Sequence, residues 1–287
     1  MLITGAMIKH ILLGALTATT LFAVRPSDGQ AQTPMQNSAQ DLAPNFDQFV
    51  KATVLPGWRT ADGTHMAGLE LQLAPGWKTY WRSPGDAGIP PSFDWQGSAN
   101  IGAVKIHWPA PKVFVLNGLL TIAYKDRVVF PIEITPATDG QPIEIEARVD
   151  LGVCEDVCVP VSLDIQGLLS PDQTMADTEI STALNAQPTP GQGAVTCNVE
   201  DLKDGLKVTA RIPLPPAGDT DVAVIEFSDP AVWVSEAETK RVGDNLIATS
   251  ELIPEPAAPF ALDASALRFT VFQKDGAFDF QGCQTPS

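Results

Sequence analysis

The sequence predicts an all-β fold: two antiparallel β-sandwich domains after a cleaved signal peptide. Three observations carry this. Short runs of alternating apolar and polar residues recur between positions 49 and 165, and again between 195 and 280. Glycine and proline separate them at close intervals, as in sandwiches. Helical periodicity is nearly absent outside one segment.

Taken in order, Lys9 and His10 precede the apolar run Ile11-Leu12-Leu13-Gly14-Ala15-Leu16, which continues to Val24. Gly29-Gln30-Ala31 fits a cleavage site, so residues 1–31 read as a signal peptide. The run is short and rich in Ala and Thr for a membrane span, and nothing later resembles one. An exported protein, periplasmic and not membrane-embedded, is the expectation. Residues 32–44 are polar and read as a disordered leader.

Strand signals begin at 49–55 and close at Pro56-Gly57. Residues 65–73 alternate, Pro75-Gly76 breaks the run, and 77–82 form an aromatic strand. A turn-rich loop spans 83–91. Further strands are expected at 92–95, 104–108, 119–124, 128–134, 143–151 and 159–165, with Lys125-Asp126-Arg127 as a hairpin turn. These make a first domain, 45–169. Ser170 can cap a helix and Pro171 suits its first position, so a short helix is expected from there to about 186. Residues 188–193 read as a linker. The second domain, 194–287, has strands at 195–199, 206–212, 222–227, 231–234, 246–252, 267–273 and 277–280.

The formal charge is −16, with the acids dispersed. Dispersed negative charge promotes solubility and argues against nucleic acid or anionic membrane as a partner. His65 and His107 stand apart in sequence, and no triad, phosphate loop or zinc spacing is present. No cofactor or metal is expected.

The chemistry concentrates in Gly152-Val153-Cys154-Glu155-Asp156-Val157-Cys158-Val159-Pro160, which holds two of the four cysteines. In one straight strand these two would lie roughly 13 Å apart, whereas a disulfide tolerates Cα separations of about 4.4–6.8 Å. Residues 152–158 therefore either fold into a tight loop or never bridge. Chain entropy gives such a small ring roughly 2 kcal/mol, against roughly 4.6 kcal/mol for a Cys197–Cys283 ring. A bridge with little structural return is a candidate for one that opens and closes. Spacing alone leaves open a redox pair, a hairpin staple and a metal site. If Cys197 and Cys283 bridge, they clasp the first and last strands of the second domain as a structural disulfide. Three pairings are formally possible.

The first domain resembles the N-terminal periplasmic domain of the thiol:disulfide interchange protein DsbD, in the branch that includes the suppressor of copper sensitivity B protein. The carriers are Ala74-Pro75-Gly76-Trp77-Lys78-Thr79-Tyr80-Trp81-Arg82-Ser83-Pro84-Gly85-Asp86-Ala87-Gly88, then Trp108-Pro109-Ala110-Pro111, Tyr124-Lys125-Asp126, and the block around the cysteines. They occur in the family's order and span about 45–166. The second domain resembles the extra β domain of that branch. The resemblance implies immunoglobulin-like sandwiches, with Cys154 and Cys158 as a catalytic redox pair at a hairpin turn. It implies a membrane electron donor of the DsbD/CcdA type. The implied recipients are periplasmic thioredoxin-like or disulfide isomerase proteins, making this a component of a protein-disulfide reductase system. By order along the chain, residues 111–120 match the family's covering loop, with Phe114 as lid residue. Tyr80, Trp81 and Tyr124 are candidates for lining the site, or for ordinary core packing.

Two departures stand out. Better-known DsbD domains have a wider cysteine spacing, and this chain lacks the family's membrane-embedded and thioredoxin-like domains. It needs a separate donor, or has become a non-catalytic β-sandwich module that binds a partner, with both disulfides structural. Copper handling is suggested only by the family branch, because Met35, Met66 and Met175 form no cluster. Glu155 and Asp156 flank the pair, and negative charge beside a thiol raises its pKa. With no cation inside the motif, the reduced pair is expected to be poorly nucleophilic.

Overall fold

Alternating side chains give each strand one face to bury, and the strands pair until those faces meet. In the first half these are β1 (Val50–Arg59), β2 (His65–Leu73), β3 (Lys78–Gly85), β4 (Ser92–Asp94), β5 (Ile101–Ile106), β6 (Lys112–Leu116), β7 (Leu119–Lys125), β8 (Arg127–Pro136), β9 (Ile143–Cys154) and β10 (Cys158–Leu169). They form two sheets, one ordered β1-β2-β8-β5 and the other β10-β9-β3-β7-β6, with β4 also on β9. The structure, a computed structural model, describes residues 46–116, 118–218 and 221–285. The expected signal peptide and leader lie outside the described residues.

A helix α1 (Thr178–Asn185) follows. It starts later than Ser170-Pro171 suggested. Ser170 Oγ instead accepts from Asp172 N in a turn, and Asp177 caps the helix by accepting from the amides of Glu179 and Ile180. The helix then buries Ile180 against Gly68, where a methyl group would lie 2.9 Å from the Ile180 side chain.

The second half contains β11 (Thr189–Pro190), β12 (Thr196–Asp201), β13 (Leu206–Ile212), β14 (Val222–Phe227), β15 (Val232–Val234), β16 (Glu238–Val242), β17 (Asn245–Pro254), β18 (Leu267–Gln273) and β19 (Gly276–Gln281). One sheet runs β11-β19-β18-β14, the other β12-β13-β17-β15 with β16 also on β17. The fold is all-β and immunoglobulin-like, with antiparallel strands apart from the two-residue β11–β19 pairing.

The apolar core of the first two sheets centres on Leu69, Trp81, Phe130, Ile132 and Val149, and continues into Val224, Phe272 and Ala277 of the second pair. A second core, with Val208, Ala248 and Phe269, fills the space between the later sheets. Asn45–Ser287 form one compact unit. Arg82 ties its parts together. Its Nε and Nη2 each donate at 2.9 Å to the two carboxylate oxygens of Glu226, and Nη2 also reaches Thr270 Oγ1 at 3.3 Å. The neighbouring Trp81 meets Phe272 edge-on at 5.3 Å.

Candidate functional site

β9 and β10 form a long hairpin whose last paired residues are Cys154 and Cys158. Only Glu155-Asp156-Val157 remains for the turn, so the two Cα atoms lie 4.1 Å apart and the sulfurs are bonded. The tight loop is the alternative that forms. Cys154 is buried (1% exposed), whereas Cys158 and the intervening residues are exposed.

Register decides what surrounds the pair. On β3, Lys78 stands opposite Cys154, and Tyr80 stands opposite Ala123 of β7. Lys78, Tyr80, Cys154 and Ala123 thus share the sheet face turned away from the core. The Tyr80 hydroxyl donates to Cys154 Sγ at 2.9 Å and lies 3.2 Å from Cys158 Sγ. Two glycines make room for its ring: a methyl group on Gly88 would lie 2.4 Å from Tyr80 Cδ1, and one on Gly152 3.3 Å from Cδ2. Burial pushes the Tyr80 pKa up from its ordinary value, so the phenol keeps its proton at neutral pH.

The segment 111–120 is a hairpin of β6 and β7 and not an irregular loop, with Gly118 at positive φ in its turn. Phe114, on β6, packs against Tyr80, Ala123 and Cys154. The Lys125 ammonium lies over the Phe114 ring, 4.9 Å from its centroid.

Trp81 and Tyr124 are not at the disulfide, which corrects their assignment as site lining. One residue on from Tyr80, Trp81 points to the opposite face and is fully buried in the core. Tyr124 pairs with Thr79 on that same inner face, donates its hydroxyl to the Pro109 carbonyl at 2.8 Å and packs edge-on to Phe130. Both are core aromatics.

Lys78 is the residue that motif reading missed. Its Nζ donates to the Glu155 carbonyl at 3.0 Å, while the Glu155 carboxylate lies back over Gly76. A cation and a phenolic donor thus stand at the bridge together with its acidic neighbours. Neither lies in the cysteine motif. Only the cross-strand register brings them there, and the alternation of 77–82 is the one signal that could have placed Tyr80.

The second bridge joins Cys197 on β12 to Cys283 just past β19, with Cα atoms 5.8 Å apart. Among the described residues no group of three or more His, Cys, Asp or Glu side chains could hold a metal ion. No helix among them is long and apolar enough to cross a membrane.

Part of the chain is similar to known proteins. Residues 47–170 match the family described as thiol:disulfide interchange protein DsbD, N-terminal. The matched segment contains the Cys154–Cys158 pair. In fold, the chain is similar to the N-terminal periplasmic domain of ScsB from Proteus mirabilis, at 24% identity and a TM-score of 0.56, covering 83% of this chain and 92% of that one. The reduced DsbD N-terminal domain of Neisseria meningitidis also matches, at 18% identity and a TM-score of 0.24, covering 45% of this chain and 93% of that one. No curated protein matches the chain.

Proposed function

We propose that this protein is a periplasmic electron carrier in which Cys154 and Cys158 pass two electrons from a membrane donor of the DsbD/CcdA type to thioredoxin-like or disulfide isomerase partners. The observation that carries the reading is the Tyr80 hydroxyl, within hydrogen-bonding distance of both sulfurs of a disulfide closed over a three-residue turn. A bridge needed only as a staple has no use for a buried donor aimed at its sulfurs.

Exposure favours Cys158 as the atom attacked. A donor thiolate attacks Cys158 Sγ, the Cys154–Cys158 bond breaks, and Cys154 leaves as a thiolate stabilised by the Tyr80 O–H. The donor's second thiolate then attacks its own sulfur in the mixed disulfide. This releases Cys158 as a thiolate and leaves the donor oxidised. In the outward step, Cys158 attacks the acceptor disulfide, and Cys154 resolves the mixed disulfide by re-forming the original bond. Each transfer moves two electrons and two protons.

A mild reductant is expected to expose two reactive thiols in the folded protein, with Cys197–Cys283 still closed. Cys154→Ser, which keeps the attacking sulfur but cannot resolve, should accumulate a mixed disulfide with its partner, and Cys158→Ser should not. If no thiol becomes reactive, the protein is a binding module with structural bridges.

Phe114 acts in this reading as the lid over Cys154. Removing its ring uncovers the sulfur and forfeits roughly 1–2 kcal/mol of apolar contact that must otherwise be broken for access. Phe114→Ala is therefore expected to speed reduction by dithiothreitol about tenfold. An unchanged rate would leave Phe114 as mere packing. We also propose the division 45–169, 170–193 and 194–287 as the domain plan, with the second sandwich bracing β3 through Arg82.

A further inference from the structure

Beside the lid lies a cleft of about 420 Å³ between the β6–β7 hairpin and α1. Its floor includes Pro109, Tyr124 and Val129, and its rim carries Lys112, Lys125 and Arg127. Arg127 is already committed, to Glu70 and Glu179. Lys112 and Lys125 have no ion pair among the described residues and are exposed, in a chain of net charge −16. Lys125 instead rests over the Phe114 ring, which covers Cys154.

We propose that this cleft receives an acidic, partly apolar segment of the partner protein, and that seating it loosens the lid. This rests on the electron-carrier reading. Carboxylates on such a segment find two unpaired ammonium groups at the rim, and its apolar side chains find the floor. A carboxylate outcompetes an aromatic face for an ammonium ion in a partly desolvated site, because it carries a full charge. Drawing Lys125 toward the partner removes its hold on Phe114, so docking and access to the disulfide become one event. The Asp126 carboxylate, next in sequence to Lys125, and Asp156 at the disulfide turn do not line the cleft. The one acid that does, Glu179, is held by Arg127.

The probe is a short synthetic peptide with alternating Glu and Phe and no cysteine, compared with its Lys counterpart. Nuclear magnetic resonance titration of the oxidised protein at low ionic strength should shift amides along 109–129 and 178–186 with the Glu peptide only, and the shifts should fade in high salt. With the Glu peptide bound, reduction by dithiothreitol, which is uncharged, should quicken roughly threefold, the scale of losing one exposed cation–π contact. Lys112→Gln should weaken binding. Lys125→Gln should raise the basal reduction rate and erase the peptide's effect on it. Equal binding of both peptides, or shifts elsewhere, overturns the docking site. Binding without acceleration overturns the coupling to the lid. A disulfide inert to dithiothreitol in every case, with peptide binding intact, would instead refute the carrier reading and leave the docking site standing.

Discussion

Replacing Cys197 and Cys283 together by alanine should cost about 4–5 kcal/mol of stability, whereas replacing Cys154 and Cys158 together should cost about 2 kcal/mol or less. The difference arises mainly in the unfolded chain. One bridge closes a loop between residues 86 apart and the other between residues 4 apart, so they remove very different amounts of disorder. The native context widens the gap. Cys197 is 1% exposed and belongs to the second core. Its amide donates to the Gln284 carbonyl at 2.8 Å, and the Gln284 amide donates to Val195 at 2.9 Å. The bridge therefore fastens the chain end after β19 to the edge strand β12, joining the two later sheets. Denaturant titration of both double variants checks this, and equal losses would refute it.

That contrast was legible in the sequence, because loop length is a sequence quantity. So were most of the strands, since alternation in a stretch such as 143–151 reports directly on which face is buried, whereas in 65–73 the second face is covered as well, by Ile180 and Ala183 of α1. Where reading failed, the deciding contacts were distant. Ser170-Pro171 has good helix-start chemistry, but Asp177 supplies the better cap, just before Ile180 and Ala183, which bury against Met66 and Val129 of the first sandwich. β6 and β16 escaped notice because each is an edge strand whose partner supplies the ladder.

The disulfide was legible as a place but not as an environment. The turn at 155–157 follows from spacing and disulfide geometry. The choice among Tyr80, Trp81 and Tyr124 does not, because β3 presents its aromatics to opposite faces and only its register with β7 and β9 says which face carries the sulfurs. The same register brings in Lys78, which a survey of the cysteine motif alone could not contain. The acidic neighbours Glu155 and Asp156 thus share the site with Tyr80, 74 residues from Cys154 in sequence, and Lys78, 77 residues from Glu155.

Breaking the Arg82–Glu226 pair on one side only should be nearly as damaging as losing the long disulfide. Arg82 is 13% exposed and Glu226 23%. Burial works against the Arg82 charge and lowers its pKa, while the Glu226 carboxylate works to restore it. Glu226→Ala would leave the guanidinium desolvated with Thr270 as its remaining partner and Trp81 against its face. A loss of about 3 kcal/mol follows, the low end for an orphaned buried charge because the pair is not fully enclosed. Replacing both partners by apolar residues of similar size, Arg82→Met with Glu226→Leu, removes the charge along with its partner and should cost under about 1 kcal/mol. The two variants together separate electrostatic from packing support in one denaturation experiment. A double variant as unstable as the single one would mean that the hydrogen-bond geometry matters more than the buried charge. The functional consequence follows from β3 itself. Tyr80 meets the sulfurs from one face and Trp81 meets Phe272 from the other, so loosening the Arg82 anchor should also raise the rate at which dithiothreitol reaches Cys154–Cys158.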